Sequence, residues 1–110
     1  MAYKVIITKP AKLHLKKYIN YTVKVLKNGQ AARAIREDAK MTKQELSFVA
    51  DSLALCTDEI LAQNGYRRIM FDKHDFFMVY LIKDECVIVE AMYHCRQDYE
   101  ALFAHRKGLV

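Results

Sequence analysis

Glycine and proline are scarce in this chain of 110 residues, which has three isolated glycines, Gly29, Gly65 and Gly108, and one proline, Pro10. Isolated glycines exclude a glycine-rich phosphate-binding loop, which needs several together for close backbone approach. Few turn-formers and 53% hydrophobic content also exclude a disordered chain, because there is enough apolar surface to offset the entropy of ordering. The three cysteines, Cys56, Cys86 and Cys95, are an odd number, far apart and without C-x-x-C spacing. No disulfide framework or zinc motif is therefore readable, and His14, His74, His94 and His105 supply no ligand spacing to complete one. Reduced thiols are expected, as in a reducing compartment. No G-x-S-x-G is present, and no apolar run approaches the ~18 residues of a membrane span. The start, Met1-Ala2-Tyr3-Lys4, enters a strand-like run and lacks the regions of a signal peptide. The expectation is a cytoplasmic protein with neither metal nor cofactor.

What is present is enough to bury one core, so a single domain over 1–110 is expected. Lys and Arg total 18 against 13 Asp and Glu, a net charge of +5. Nine lysines (Lys4, Lys9, Lys12, Lys16, Lys17, Lys24, Lys27, Lys40, Lys43) fall in the first 43 residues, and the acidic residues lie from Glu37 onward. The excess points to an anionic partner such as nucleic acid, a ribosome or an acidic protein.

Periodicity divides the chain into two halves. Residues 3–8 are short and β-branched and read as a strand, with Thr8 placed to cap a helix that Pro10 can open. Ala11, Leu15, Tyr18, Ile19, Thr22 and Leu26 then recur at helical steps, with Lys9, Lys12, Lys16, Lys24 and Lys27 on the opposite side. Asn28-Gly29 reads as a helix stop. A second helix follows over 30–56, carried by Ala31, Ile35, Ala39, Thr42, Leu46, Val49 and Leu53; unbroken it would be ~40 Å long. The short link implies an antiparallel helical hairpin. Thr57-Asp58-Glu59 looks like a new cap, with one turn of helix over 59–63. Three strands at 66–71, 76–83 and 86–93 form an antiparallel meander, completing a four-stranded sheet, and a short helix over 97–104 would pack on it through Tyr99, Leu102 and Phe103. The class is α+β, with the helices expected on one face of the sheet.

Chemistry is concentrated at strand ends. Arg67 and Arg68 open one strand and should point to opposite faces. His94, Arg96 and Tyr99 follow the last strand. His or Tyr can move a proton at a phosphodiester and Arg can hold the charge that grows there, so a nuclease would use His94, Arg96, Tyr99 and Arg68 without metal. Each also has a structural reading: Tyr99 as a core aromatic, His94 as a hydrogen-bonded imidazole, the arginines and lysines as solvated surface. The lysine face (Lys9, Lys12, Lys16, Lys24, Lys27), with Arg67 and Arg68, is the candidate contact surface for a target or nucleic acid. A small basic nucleic-acid-binding module is the corresponding alternative.

Several segments, in order, resemble a known superfamily. Tyr18-Ile19 through Leu26-Lys27-Asn28 to Ala31-Ala32 is similar to a "Y-I…L-x-N…A-A" helical hairpin. Gly65-Tyr66-Arg67-Arg68-Ile69 with Met78-Val79-Tyr80 resembles a "G-x-R-x-I…V-Y" strand pair, and Val87-Ile88-Val89 followed by His94-Cys95-Arg96-Gln97-Asp98 resembles the closing segment. The superfamily that the chain thereby resembles is the ParE/RelE superfamily of toxins from bacterial type II toxin–antitoxin systems, also known as plasmid-stabilisation proteins. The resemblance implies a growth-inhibiting protein neutralised by a cognate antitoxin that wraps it, with assembly with the antitoxin or a second copy compatible. ParE-like members act on DNA gyrase, whereas RelE-like members cut mRNA on the ribosome. RNA-cutting members carry an Arg before the third-strand "V-V-Y" or "L-V-Y"; here Phe77 precedes Met78-Val79-Tyr80. That departure and the long hairpin favour the ParE-like side.

Overall fold

The computed structural model describes residues 2–109; Met1 and Val110 lie outside that description. The elements are β1 (Lys4–Ile7), α1 (Lys9–Lys24), α2 (Gly29–Val49), α3 (Glu59–Gln63), β2 (Arg67–Met70), β3 (Phe76–Lys83), β4 (Cys86–His94) and α4 (Tyr99–Arg106). This is the expected α+β order. The sheet runs β1-β4-β3-β2, antiparallel through the meander and parallel where β1 joins β4.

Local chemistry explains the helix ends. Thr8 accepts from the Ala11 N–H at the start of α1 and donates to the Val89 carbonyl at 2.8 Å, so one hydroxyl joins the cap to the sheet. At the hairpin the expected roles shift by one residue. Lys27 takes the left-handed conformation (φ 51°), while Asn28 caps α2 by accepting from the Ala31 N–H at 2.9 Å. Asp58 caps α3 through the Leu61 N–H at 3.0 Å.

Two expectations are corrected. The second helix ends at Val49 and does not continue to Cys56. Asp51-Ser52 forms a turn, with the Ser52 hydroxyl taking the Val49 carbonyl, and Tyr80 donates its hydroxyl to the Ala50 carbonyl at 2.7 Å. The chain then lies along β2: Cys56 N–H donates to the Tyr66 carbonyl, Leu55 bridges Arg67, and Arg67 donates to the Leu53 carbonyl. Leu53 and Cys56 still bury, but against different clusters, which one straight helix cannot do. The helices, moreover, occupy both faces of the sheet. Ala11, Ala39 and Leu46 of α1 and α2 pack on Met78, Tyr80, Val87 and Met92. Tyr99 and Phe103 of α4, with Leu61 of α3, pack on Phe77, Val79, Ala91 and Tyr93. Leu102 is not among them; it is 51% exposed.

A bulge makes this two-sided core possible. Val79 pairs with Ala91 but Tyr80 with Val89, so Glu90 is an extra residue in β4. It switches β4 from presenting Val87 and Val89 to α1 and α2 to presenting Ala91 and Tyr93 to α4. The bulge is tied to the end of α4: Arg106 donates to the Glu90 carbonyl at 2.7 Å and Lys107 meets its carboxylate at 2.6 Å. On the other side Asp38 of α2 holds the β2–β3 turn. Its carboxylate accepts from the backbone N–H groups of Asp72 (3.2 Å) and Lys73 (3.0 Å) and lies 2.7 Å from His74 Nδ1. Among the described residues no helix is long and apolar enough to cross a membrane.

Candidate functional site

The most distinctive site arises because β4 outruns β1. Their pairing ends at Ile7 and Val89, so the next turn of β4 presents an edge that another element must satisfy. Helix α1 does so with side chains. His14 Nδ1 accepts from the Met92 N–H at 3.2 Å, and the Tyr18 hydroxyl accepts from the His94 N–H at 3.3 Å. Tyr18 also donates to the Gln97 amide oxygen, which in turn accepts from the His94 N–H at 2.9 Å. His94 Nδ1 accepts from the Arg96 N–H at 3.1 Å. Both imidazoles therefore use Nδ1 as acceptor, so each neutral ring carries its proton on Nε2. Burial, reinforced by the Arg106 and Lys17 charges, lowers the His14 pKa and keeps its ring neutral at pH 7. Burial also raises the Tyr18 phenol above its ordinary range.

Between this edge, α2 and α4 lies a cavity of about 840 Å³. Phe76 packs against Tyr18 (4.8 Å between ring centroids) and edge-on to His94 (5.1 Å), and Tyr93 against His14 (5.1 Å). Tyr21, Leu26 and Leu102 line it while 55%, 59% and 51% exposed. An apolar wall that wet is unusual for a finished surface. Lys17 and Arg106 supply positive charge, and among the described residues no carboxylate lines the cavity.

The expected nuclease residues are not gathered there. His94 is in the groove, but Arg68 and Tyr99 meet on the α4 side of the sheet. The Arg68 guanidinium sits over the Phe77 and Tyr99 rings, 5.0 and 5.3 Å from their centroids. Tyr99 is 5% exposed, and among the described residues its hydroxyl has no hydrogen-bond partner; burial, with the neighbouring Cys56, pushes its pKa well up. Arg96 is exposed in the turn before α4. No hydrogen bond or ring contact joins His94 to Arg68 or Tyr99 among the described residues. Arg67 and Arg68 do part to opposite faces, and Arg67 is engaged by the Leu53 carbonyl. The lysine face also divides. Lys12 turns into the seam between α1 and α2, while Lys9, Lys16, Lys24 and Lys27 are exposed elsewhere. Among the described residues no cluster of three or more His, Cys, Asp or Glu could hold a metal ion.

No family model matches the chain and no curated protein sequence matches it. Among solved structures, a chain of the chromosomal ParDE TA system from P. aeruginosa superposes on it with a TM-score of 0.70. Identity is 18%, and the match covers 84% of this chain and 96% of that one. The two chains share a fold. It is the fold that the sequence resemblance implies, and at this identity the likeness with the ParDE chain rests on the backbone.

His14, Lys17, Tyr18 and Arg106 do not stand out as a group in the sequence. One signal for the first three was available. His14, Lys17, Tyr18 and Tyr21 recur at helical steps on one flank of α1, beside the buried Ala11, Ile19 and Thr22. An aromatic and basic flank next to an apolar face marks a surface that meets something other than the core. Arg106 joins them only through the fold, by way of the bulge at Glu90.

Proposed function

We propose that the chain is the growth-inhibiting toxin of a type II toxin–antitoxin module, acting in the ParE-like manner on DNA gyrase. The observation that carries this reading is the fold shared with the ParDE chain over nearly all of that chain's length. In this proposal the cognate antitoxin neutralises the protein by laying an acidic amphipathic segment in the groove between α1, the end of β4 and α4. Apolar side chains of such a segment would cover Tyr21, Leu26 and Leu102, and its carboxylates would meet Lys17 and Arg106. A segment that is disordered when free and folds on contact suits a wall of this size and exposure.

Gyrase is favoured over mRNA as the target by the expected nuclease residues themselves. Phe77, where RNA-cutting relatives carry Arg, is buried beneath Arg68. Tyr99 keeps its proton because burial holds its pKa high, which makes it a poor general base. Supercoiling by purified gyrase tests the reading. Inhibition with messages left intact is the expected result. Ribosome-dependent mRNA cleavage that His94→Ala abolishes would replace it with the RNA-cutting alternative. No response in either assay would remove both.

A further inference from the structure

A second cavity, of about 250 Å³, lies in the seam between α1 and α2 and is lined by four cations, Lys12 from α1 and Arg36, Lys40 and Lys43 from α2. The α2 residues recur at steps of four and three, so they form one strip about 10 Å long. All four are exposed, and among the described residues no carboxylate lines the seam. Among the described residues the ion pairs lie elsewhere, at Asp38–His74 and Glu90–Lys107. Four unpaired like charges gathered in one place repel one another in the free protein, and a polyanion converts that repulsion into attraction.

The shape decides which polyanion. The cavity is smaller than the ~300–1,000 Å³ of a small-molecule site. Its apolar floor, which includes Met78 and Met92, suits the alkyl stems of the cations themselves, leaving their heads at the rim. What the seam offers is therefore a row of charge, with little room for an apolar anchor of the kind an acidic peptide would insert.

We propose that Lys12, Arg36, Lys40 and Lys43 form a binding site for the phosphodiester backbone of a nucleic acid, engaged without base readout. This site differs from the lysine face expected from the sequence, since it takes only Lys12 from that face and recruits three residues of α2. It stands independently of the toxin reading, because it is measured on purified protein without gyrase, ribosome or antitoxin.

The test is fluorescence anisotropy with a short labelled RNA and a short labelled DNA duplex of mixed sequence, read as a function of salt. Each neutralised phosphate contributes about 0.7 (single strand) or 0.9 (duplex) to the slope of log affinity against log salt. Four contacts predict that RNA affinity falls about 50-fold between about 50 and 200 mM salt, and that R36Q/K40Q reduces this to about 7-fold. K12Q/K43Q should do the same, and K24Q/K27Q should leave the salt dependence unchanged. The variants alter exposed positions, and their unfolding midpoints are measured alongside; with two independent seam pairs, a folding defect in one leaves the other decisive. Preference for RNA or duplex with these slopes supports the site and identifies the strand type. An unchanged slope in the seam variants, an equal effect of K24Q/K27Q, or no binding at low salt would overturn it. Competition by polyglutamate as strong as by RNA would also overturn it, in favour of an acidic polypeptide.

Discussion

Replacing Asp38 by Ala should be among the most damaging single changes away from the hydrophobic core. Its carboxylate is buried and gathers three donors from the turn between β2 and β3: the N–H groups of Asp72 and Lys73 and the His74 ring. Hydrogen bonds to a charged group contribute about 1.5–3 kcal/mol each. Asp72 and Lys73 are exposed residues, so their N–H groups can regain water, which brings the expected loss to about 3 kcal/mol. For a chain of this length that is a fall in Tm of roughly 12 °C. Asp38→Asn, which keeps one acceptor but turns a donor toward Lys73 N–H, should lose about 2 kcal/mol. Burial alone would raise the Asp38 pKa, but the hydrogen bonds from His74 and the two N–H groups outweigh it and the pKa is lowered. The linkage sign follows: a carboxylate with a depressed folded pKa stabilises fully above the ordinary Asp range and loses that contribution as pH falls through the folded value. Urea unfolding of wild type and D38A should therefore show a constant gap at neutral pH that narrows below about pH 4. A gap under about 0.5 kcal/mol, within the range of ordinary surface changes, or one undiminished in acid, would refute the reasoning. The neighbouring Phe76 lines the groove, so the same strut also positions part of the candidate site.

Three further outcomes are expected. Tyr80→Phe leaves the Ala50 carbonyl unpaired at the end of α2 and should cost about 1–2 kcal/mol in denaturant unfolding. Tyr99→Phe removes a buried hydroxyl that has no partner, so stability should be unchanged or higher; a loss above about 1 kcal/mol would reveal a bond on that hydroxyl. The His14 ring should titrate by NMR below the ordinary histidine range, and Arg106→Gln should move its midpoint upward. Because the folded pKa is depressed, its contribution to stability is complete above the unfolded value and declines as pH falls through the folded one.

Much of the fold was legible because the chain changes period cleanly. Helical steps give way at Gly65 to short β-branched and aromatic runs, and the caps at Thr8 and Asp58 stand where the pattern begins anew. The end of α2 was not legible, since Leu53 and Cys56 continue the helical spacing while the chain unwinds to bury them on opposite faces of the sheet. Nor was the second layer of helices. It depends on the bulge at Glu90, and one charged residue between the apolar runs Val87-Ile88-Val89 and Ala91-Met92-Tyr93 fits ordinary alternation, so the sequence does not reveal that it is extra. For the candidate site, His94 was visible as a polar residue at a strand end. Its partners on α1 were not, because a long β4 against a short β1 is a property of pairing and leaves no local mark. The cations of the α1–α2 seam were hidden similarly: Arg36, Lys40 and Lys43 share one face of α2, and only the fold brings Lys12 beside them.

In the proposed reading this fold carries a toxin whose antitoxin occupies the α1–β4–α4 groove. Growth after induction in a bacterial host, with and without co-expression of any short acidic reading frame found beside its gene, distinguishes the outcomes, using wild type and Y21E/L102E, which changes two exposed groove residues. Wild type should arrest growth, and co-expression of that neighbour should rescue it. A variant that still arrests growth should escape that rescue; if the variant is inert, loss of its co-purification with the neighbour's product carries the same information. Absence of arrest by wild type in several hosts, or a Y21E/L102E protein neutralised as well as wild type, would contradict it.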